Sequence, residues 1–390
     1  MSSPGPVVPD LASVVEQMRD VRRDLHAHPE LAGAEFRTTA LVADRLASVG
    51  LVAHPLPGGC GLICDVPAEP VEDLPRTLLR ADLDALPLHD TKEVPYRSTV
   101  EDACHACGHD LHTAVVLGAG LVLARQPPAV PVRLVFQPAE EAMWGARAAI
   151  DAGALKGVGR AFALHADPRL DVGSVGLRTG AITGAADVVS LRLHGPGGHT
   201  ARPHLTADLI HVLGIVATSV PAMLRERVDP RSGLRLVWGR VQAGSAPNAI
   251  PSTGELAGTM RCLDAETWET APRALQTVVE ELAARHGVRA EIEVTRGVPP
   301  CVNDETAVAA VRAAVTAEFG AAAAVTTEQS LGGEDFAWFL RSVPGALVRL
   351  GTRGPGTPAV DLHQPAFDID EAAIEVGIRT LVAVARGTAG

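Results

Sequence analysis

Cys104, His105, Cys107, His109, Asp110 and His112 fall within nine consecutive residues. Thiolate and imidazole are ligands of zinc and its neighbours, so two thiols, three imidazoles and a carboxylate at this density can build a metal site. Two other readings of the stretch are a C-x-x-C redox pair and half of a structural zinc knuckle. A thioredoxin-type pair follows the first strand of a small βαβ domain, whereas this one comes after about 100 residues. A knuckle needs a second pair at similar spacing; Cys60 and Cys64 are available, but Gly58, Gly59 and Gly61 make that loop loose. The cluster favours a catalytic metal.

A second group, Gln137-Pro138-Ala139-Glu140-Glu141, follows the apolar run Val132 to Phe136. Adjacent side chains point in different directions, so one carboxylate can bind metal while the other handles a proton. A Glu pair taken alone is more often a solvated helix start. Asp82 and Asp84 follow Leu79-Arg80, His165 closes the run Ala161 to Leu164, and His363 follows a late strand. A lone histidine is more often structural than a ligand, but here four separate predicted strands end in Asp, Glu or His. Open α/β sheets bind ligands outside the carboxyl ends of their strands. Cys, His, Glu, His and His, with Asp nearby, exceed one tetrahedral zinc and suit two metals about 3.5–4 Å apart. The chain has no G-x-S-x-G elbow, H-E-x-x-H pair or Walker loop. The glycines of Gly195 to Gly198 lack the following helix that a dinucleotide site requires.

The elements that must position these residues alternate in type. Leu11 to Ala27 and Thr38 to Val49 read as amphipathic helices, and Thr77 to Leu83, Val132 to Phe136 and Ala161 to Leu164 as buried strands. Asp110 is placed to cap a helix from Leu111 to about Arg125. This alternation predicts an α/β fold, an open mixed sheet with helices on both faces. The middle differs: strand Val188 to Leu193, helix Thr206 to Arg227, strands Leu234 to Val241 and Leu256 to Leu263, helix Glu266 to His286, strand Ala290 to Thr295. The order β-α-β-β-α-β is that of a ferredoxin-like unit. Afterwards come helix Glu305 to Glu318, strand Ala346 to Leu350 and helix Asp370 to Arg386. The expected organisation is a metal-binding domain over 1–182 and 298–390, interrupted by a ferredoxin-like lid or dimerisation domain over 183–297.

Composition narrows the function. The 390 residues carry 34 Lys and Arg against 46 Asp and Glu, net −12, without a clustered basic stripe, which argues against nucleic acid as partner. The longest purely apolar run, Ala114 to Ala124, is too short for a bilayer, and residues 1–20 lack the basic and apolar regions of a secretory signal. A cytoplasmic protein without a membrane partner is expected. Six cysteines in 390 residues are no disulfide scaffold.

Together the motifs resemble one family, the metal-dependent N-acyl-amino-acid amidohydrolases of the aminoacylase–carboxypeptidase superfamily, which include hippurate hydrolase, aminoacylases and indoleacetyl-amino-acid hydrolases. The matching stretches are RRDLHAHPEL (Arg22 to Leu31), RADLDALP (Arg80 to Pro87), HACGHDLHTA (His105 to Ala114), FQPAEE (Phe136 to Glu141) and ALH (Ala163 to His165). GGHTARPH (Gly197 to His204), NAIP (Asn248 to Pro251), GTMR (Gly258 to Arg261), GGEDF (Gly332 to Phe336) and DLHQPAFDID (Asp361 to Asp370) follow, in register along nearly the whole chain.

The resemblance implies a zinc-exopeptidase-like fold and two divalent ions, Zn, Mn or Co, held by Cys107, His109, Glu141, His165 and His363. It implies Glu140 as general base, His199 completing the site from the inserted domain, and Asn248 and Arg261 on the carboxylate of an N-acyl amino acid substrate. It also implies a homodimer through the insert. Asp82 stands where the wider superfamily has a metal-binding histidine and is left outside the metal shell, with Cys107 compensating. Pro196 replaces a common lysine, and Ala142-Met143-Trp144 follows Glu141 in place of a glycine-rich turn, a change that bears on the acyl pocket. The competing expectations are a dinuclear metallopeptidase acting on dipeptides and a non-catalytic metal or thiol-redox protein.

Overall fold

The computed structural model describes residues 10–69 and 74–387. They form two compact units: one contains the described residues up to Gly180, Val302–Glu328 and those from Trp338 onward, the other Ala181–Cys301 with Gln329–Ala337.

The first unit is built on an eight-stranded mixed sheet. Its centre is four parallel strands, in the order Val132–Gln137, Arg76–Asp82, Val158–Asp171 and Gly345–Arg353. Antiparallel neighbours close both sides, Leu62–Val66 against Val132–Gln137 and Val175–Leu177 against Gly345–Arg353. The central strands are buried along their length, which is why they read as continuous apolar runs instead of alternating ones. On one face Leu79, Leu134, Phe136, Phe162, Val348 and Leu350 share a core with Leu111, Val115 and Leu117 of the helix His109–Arg125. That helix is apolar nearly all round because it is buried nearly all round. A Cβ on Gly118 would meet Ile378 Cδ1 at 2.4 Å and Met18 Cγ at 2.9 Å, so glycine lets the flanking helices Leu11–Ala27 and Ala372–Gly387 close in.

Two expectations about this unit are corrected. Asp110 does not cap its helix, which starts at His109 after the left-handed Gly108 and has no side-chain cap. The buried Asp110 carboxylate instead accepts from Arg22 Nε at 2.8 Å and pairs with His26 Nδ1 at 2.7 Å. A buried charge must be paired, and two cationic partners outbid a backbone amide. Burial alone would lower the His26 pKa, yet Asp110 and Asp90 push it up to about 10. His165 does not close its strand either, because pairing continues through Arg349↔His165 and Gly351↔Asp167 to Arg353↔Asp171. It sits two residues past the Arg80↔Ala163 pair, level with the end of Arg76–Asp82.

The second unit has the β-α-β-β-α-β order read from the sequence: Ala185–His194, Leu209–Glu226, Arg235–Ala243, Thr253–Cys262, Ala265–Arg285 and Arg289–Val298. Its antiparallel sheet runs Arg235–Ala243, Thr253–Cys262, Ala185–His194, Arg289–Val298. Ala185–His194 alternates buried and exposed positions, as a sheet covered on one face should. The helix Leu209–Glu226 is by length and composition apolar enough to cross a membrane. Its buried Leu209, Val212, Leu213, Val216, Val220 and Leu224 form the stripe of an amphipathic helix packed on the unit's own sheet.

Candidate metal centre

Asp82 and Gln137 end adjacent parallel strands in register, and His165 stands at the same level on the next strand. Beyond Gln137 the chain makes a tight turn that carries the two glutamates. Ala139 and Met143 are held at φ 52 and 60, Met143 N–H donates to the Glu140 carbonyl at 2.7 Å, and Gly145 N–H to the Ala139 carbonyl at 3.3 Å. Non-glycine residues at positive φ are costly and mark a segment that its surroundings hold in place. Gly145 is required, because a Cβ there would lie 1.5 Å from the Pro138 oxygen.

Asp84 ties this turn to the helix His109–Arg125. Its carboxylate accepts from the backbone N–H of Glu140 at 3.1 Å and of Glu141 at 2.9 Å. The same carboxylate accepts a hydrogen bond from His109 Nδ1–H at 3.2 Å, since a carboxylate can only accept. With Nδ1 engaged, Nε2 of His109 faces Glu141 Oε1 at 3.9 Å, Glu140 Oε2 at 4.0 Å and Asp82 Oδ2 at 3.7 Å. Orientation of a ligand by an outer carboxylate is the usual companion of a metal-binding histidine.

The other donors converge on the same place. His165 gives Nδ1–H to the Ala166 carbonyl at 2.8 Å, which leaves Nε2 3.5 Å from Cys107 Sγ. His363 adopts φ 62 and donates its backbone N–H to the Ala106 carbonyl, bringing Nε2 to 3.3 Å from Glu141 Oε1. Two groups result, each with its donor atoms mutually within 4.8 Å: Cys107, His109, His165 and Cys107, Glu141, His363. They share Cys107. All five residues expected as ligands are thus brought together within one unit.

The residues present fit divalent cations. Among the described residues the buried His109 Nε2 has no hydrogen bond of good geometry; it faces Glu141 Oε1 at 3.9 Å, whose nearest other neighbour is His363 Nε2 at 3.3 Å. Buried polar atoms without partners are rare and call for an explanation such as an ion. Burial pushes the Cys107 thiol up to about 12, so a cation is what makes its thiolate accessible at neutral pH. Burial opposes a charge on His109 as well, but Asp82, Cys107 and Asp84 hold its pKa well above the ordinary value, the mark of an excess of negative neighbours.

Asp82 is committed elsewhere. One oxygen pairs with His112 Nδ1 at 2.6 Å and the other with Arg80 Nη1 at 2.7 Å, while His112 Nε2 accepts the Ala166 N–H. Burial would raise the Asp82 pKa; His109, His112 and Arg80 hold it well below the usual carboxylate range. His112 and Asp82 therefore buttress the donors from behind. Sequence reasoning marked both but not this role, and missed the part played by Asp84, whose only signal was its position two residues past the strand's last aspartate. Cys104 contacts Lys92 Nζ at 3.5 Å while Cys107 faces His165, so the two thiols have different partners. Cys60 donates to the Gly33 carbonyl and Cys64 is packed in the core, as suits neither half of a knuckle.

In the second unit His199 and Ala249 are paired residues of a two-stranded ribbon, which places Asn248 beside His199. His199 Nδ1 accepts from Ala201 N–H at 3.0 Å, so the proton of its neutral ring is on Nε2. Arg261 Nη1 donates to the Leu331 carbonyl at 2.5 Å.

Residues 78–387 match the family described as peptidase family M20/M25/M40. A Rhodococcus jostii protein with the provisional name glutamate–cysteine ligase 2-3 is 49% identical over 94% of this chain, which spans 46% of that relative's length. An N-acetyl-L-cysteine deacetylase of Bacillus subtilis is 36% identical over 94% of this chain and 86% of its own. The crystal structure of Bacillus subtilis YxeP, described as a dinuclear metal-binding peptidase of the M20 family, superposes with a TM-score of 0.85. It is 33% identical and covers 96% of this chain and 98% of its own.

Proposed function

The chain belongs to peptidase family M20/M25/M40, and from that premise we propose that it is an N-acyl-amino-acid amidohydrolase, splitting the amide into a carboxylic acid and a free amino acid. Metal-dependent hydrolysis of an amide bond with two divalent ions is the coarser activity, shared with its relatives. The observation that carries the site assignment is the convergence of the buried His109 Nε2 and Glu141 Oε1 on one another beside Cys107, His165 and His363.

In this reading those five residues hold the ions. When bound, the ions polarise an amide carbonyl and acidify a water. Mixed sulfur, nitrogen and oxygen donors suit Zn, Mn or Co. Glu140, kept in place by Asp84, takes the water's proton and returns it to the departing nitrogen. His199, with its proton on Nε2, donates to the developing oxyanion. Asn248 and Arg261 hold the amino-acid carboxylate, for which a guanidinium fork is well shaped. The chain works as a homodimer through the inserted unit, with a solution mass of two chains; a monomer with full activity contradicts this. The six cysteines, none of them in a disulfide, go with a cytoplasmic location.

N-acylated cysteines are the first substrates to test, given the deacetylase relative. The expected result is turnover of N-acyl amino acids well above that of unblocked dipeptides. Arg261→Ala should raise KM about tenfold or more for N-acyl amino acids and much less for matched amides lacking the carboxylate. Preferential cleavage of dipeptides makes the chain a dipeptidase; equal KM effects on both amide types make Arg261 structural.

A further inference from the structure

Arg22 opens the stretch RRDLHAHPEL, and the site described above gives it no task. It sits in the helix Leu11–Ala27, far in sequence from every proposed ligand, and is only 1% exposed. Nε donates to Asp110 at 2.8 Å and Nη2 to Asp368 at 2.6 Å, while Nη1 stands 3.6 Å from Glu371 Oε1. The guanidinium also lies over the Tyr96 ring, 4.9 Å from its centroid, and the Tyr96 hydroxyl donates to Asp368 at 2.9 Å. Burial opposes the Arg22 charge, but Asp110 and Asp368 keep its pKa above the usual arginine value.

The two aspartates belong to the two segments that must meet at Cys107. Asp110 follows His109, and Asp368 lies a few residues past His363. Three ties join these segments in step. His363 donates its backbone N–H to the Ala106 carbonyl at 2.8 Å. The buried Phe367 ring covers Gly108, its Cε1 3.7 Å from where a Cβ would be. Arg22 supplies the third tie, between Asp110 and Asp368. His109 has other support, being oriented by Asp84 and set in a buried helix. His363 has less: it is half-exposed, its φ is 62, and residues 354–371 contain neither helix nor strand.

We propose that Arg22 is a positioning residue for the metal centre: by bridging Asp110 and Asp368 it holds His363 beside Cys107 and Glu141, its partners in the second donor group. The proposal rests on the two-ion reading above and adds a residue outside the donor groups. A guanidinium suits the task because its planar fork reaches two carboxylates at once, whereas a lysine ammonium is a single point of charge. Losing an outer partner of this kind costs about 10–100-fold in metal affinity.

The test reads metal binding by the full chain without substrate. Metal-stripped wild type, Arg22→Lys and Asp368→Asn are titrated calorimetrically with Zn, with His363→Ala as the reference and melting temperatures measured alongside. Arg22→Lys should bind one ion as wild type does and the other about 10–100-fold more weakly. Asp368→Asn, which leaves the pair of Arg22 with Asp110 intact, should weaken the same ion, and it keeps the test decisive if Arg22→Lys does not fold. Added to His363→Ala, Arg22→Lys should cause no further loss, because the side chain it holds is already gone. Equal weakening of both ions, or a lower melting temperature with both affinities unchanged, makes Arg22 structural and overturns the proposal. So does an additive loss in the double variant, which routes the effect through His109. Two ions held at full affinity by His363→Ala overturn the ligand assignment and the proposal with it. Failure to hydrolyse N-acyl amino acids, with these affinities as expected, overturns the amidohydrolase reading and leaves the proposal standing.

Discussion

Glu140→Gln should leave two metals bound and lower kcat by about 10²–10⁴, the usual worth of a general base. The amide is nearly isosteric with the carboxylate, so the backbone bond from Glu140 N–H to Asp84 survives, but it cannot accept a proton. Glu141→Gln should behave differently. Its Oε1 lies 3.3 Å from His363 Nε2 and 3.9 Å from His109 Nε2, inside the donor groups, so exchanging that oxygen should release metal and activity together. Both variants are read by metal analysis beside steady-state kinetics. If Glu140→Gln loses metal and Glu141→Gln keeps it, base and ligand have been exchanged.

Cys107→Ser should have an effect as large, through metal content. Cys107 is the one residue common to both donor groups, and a hydroxyl is a far poorer ligand for these ions than a thiolate. Loss of this side chain weakens both positions at once, so at least one ion should leave and turnover should become undetectable. Cys104→Ser is the control. That thiol is buried beside Lys92, and its replacement should leave stoichiometry near two and activity near wild type. Equal behaviour of the two variants contradicts Cys107 as a shared ligand and revives a thiol-pair role.

What was legible in the sequence was local or compositional. The helix Leu11–Ala27 is readable from its 3.6-residue apolar period, and the inserted β-α-β-β-α-β unit from its alternation of patterns. The cluster Cys104 to His112, the pair Glu140-Glu141, His165 and His363 stood out by residue type and position, and the family resemblance singled out Cys107, His109, Glu141, His165 and His363 among them. The supporting shell was not legible, because it is made of pairings between distant residues. Arg22 reaches Asp110 and Asp368, 88 and 346 residues away, and nothing local distinguishes that aspartate from a helix cap. Asp84 likewise acquires its role only when the strand Arg76–Asp82 lies beside the turn after Gln137. His165 was placed at a strand end because the apolar run stops there, whereas pairing with Gly345–Arg353 carries the strand on to Asp171.

The central claim is that two divalent ions, held within the first unit, are needed to hydrolyse an N-acyl amino acid. Its most direct measurement is a titration of the metal-stripped protein with Zn, Mn or Co, following hydrolysis of an N-acyl amino acid and bound metal in the same samples. Activity should be absent after stripping, rise with added metal and level off at two ions per chain. Hydrolysis that persists without metal, or saturates fully with a single bound ion, would contradict the account.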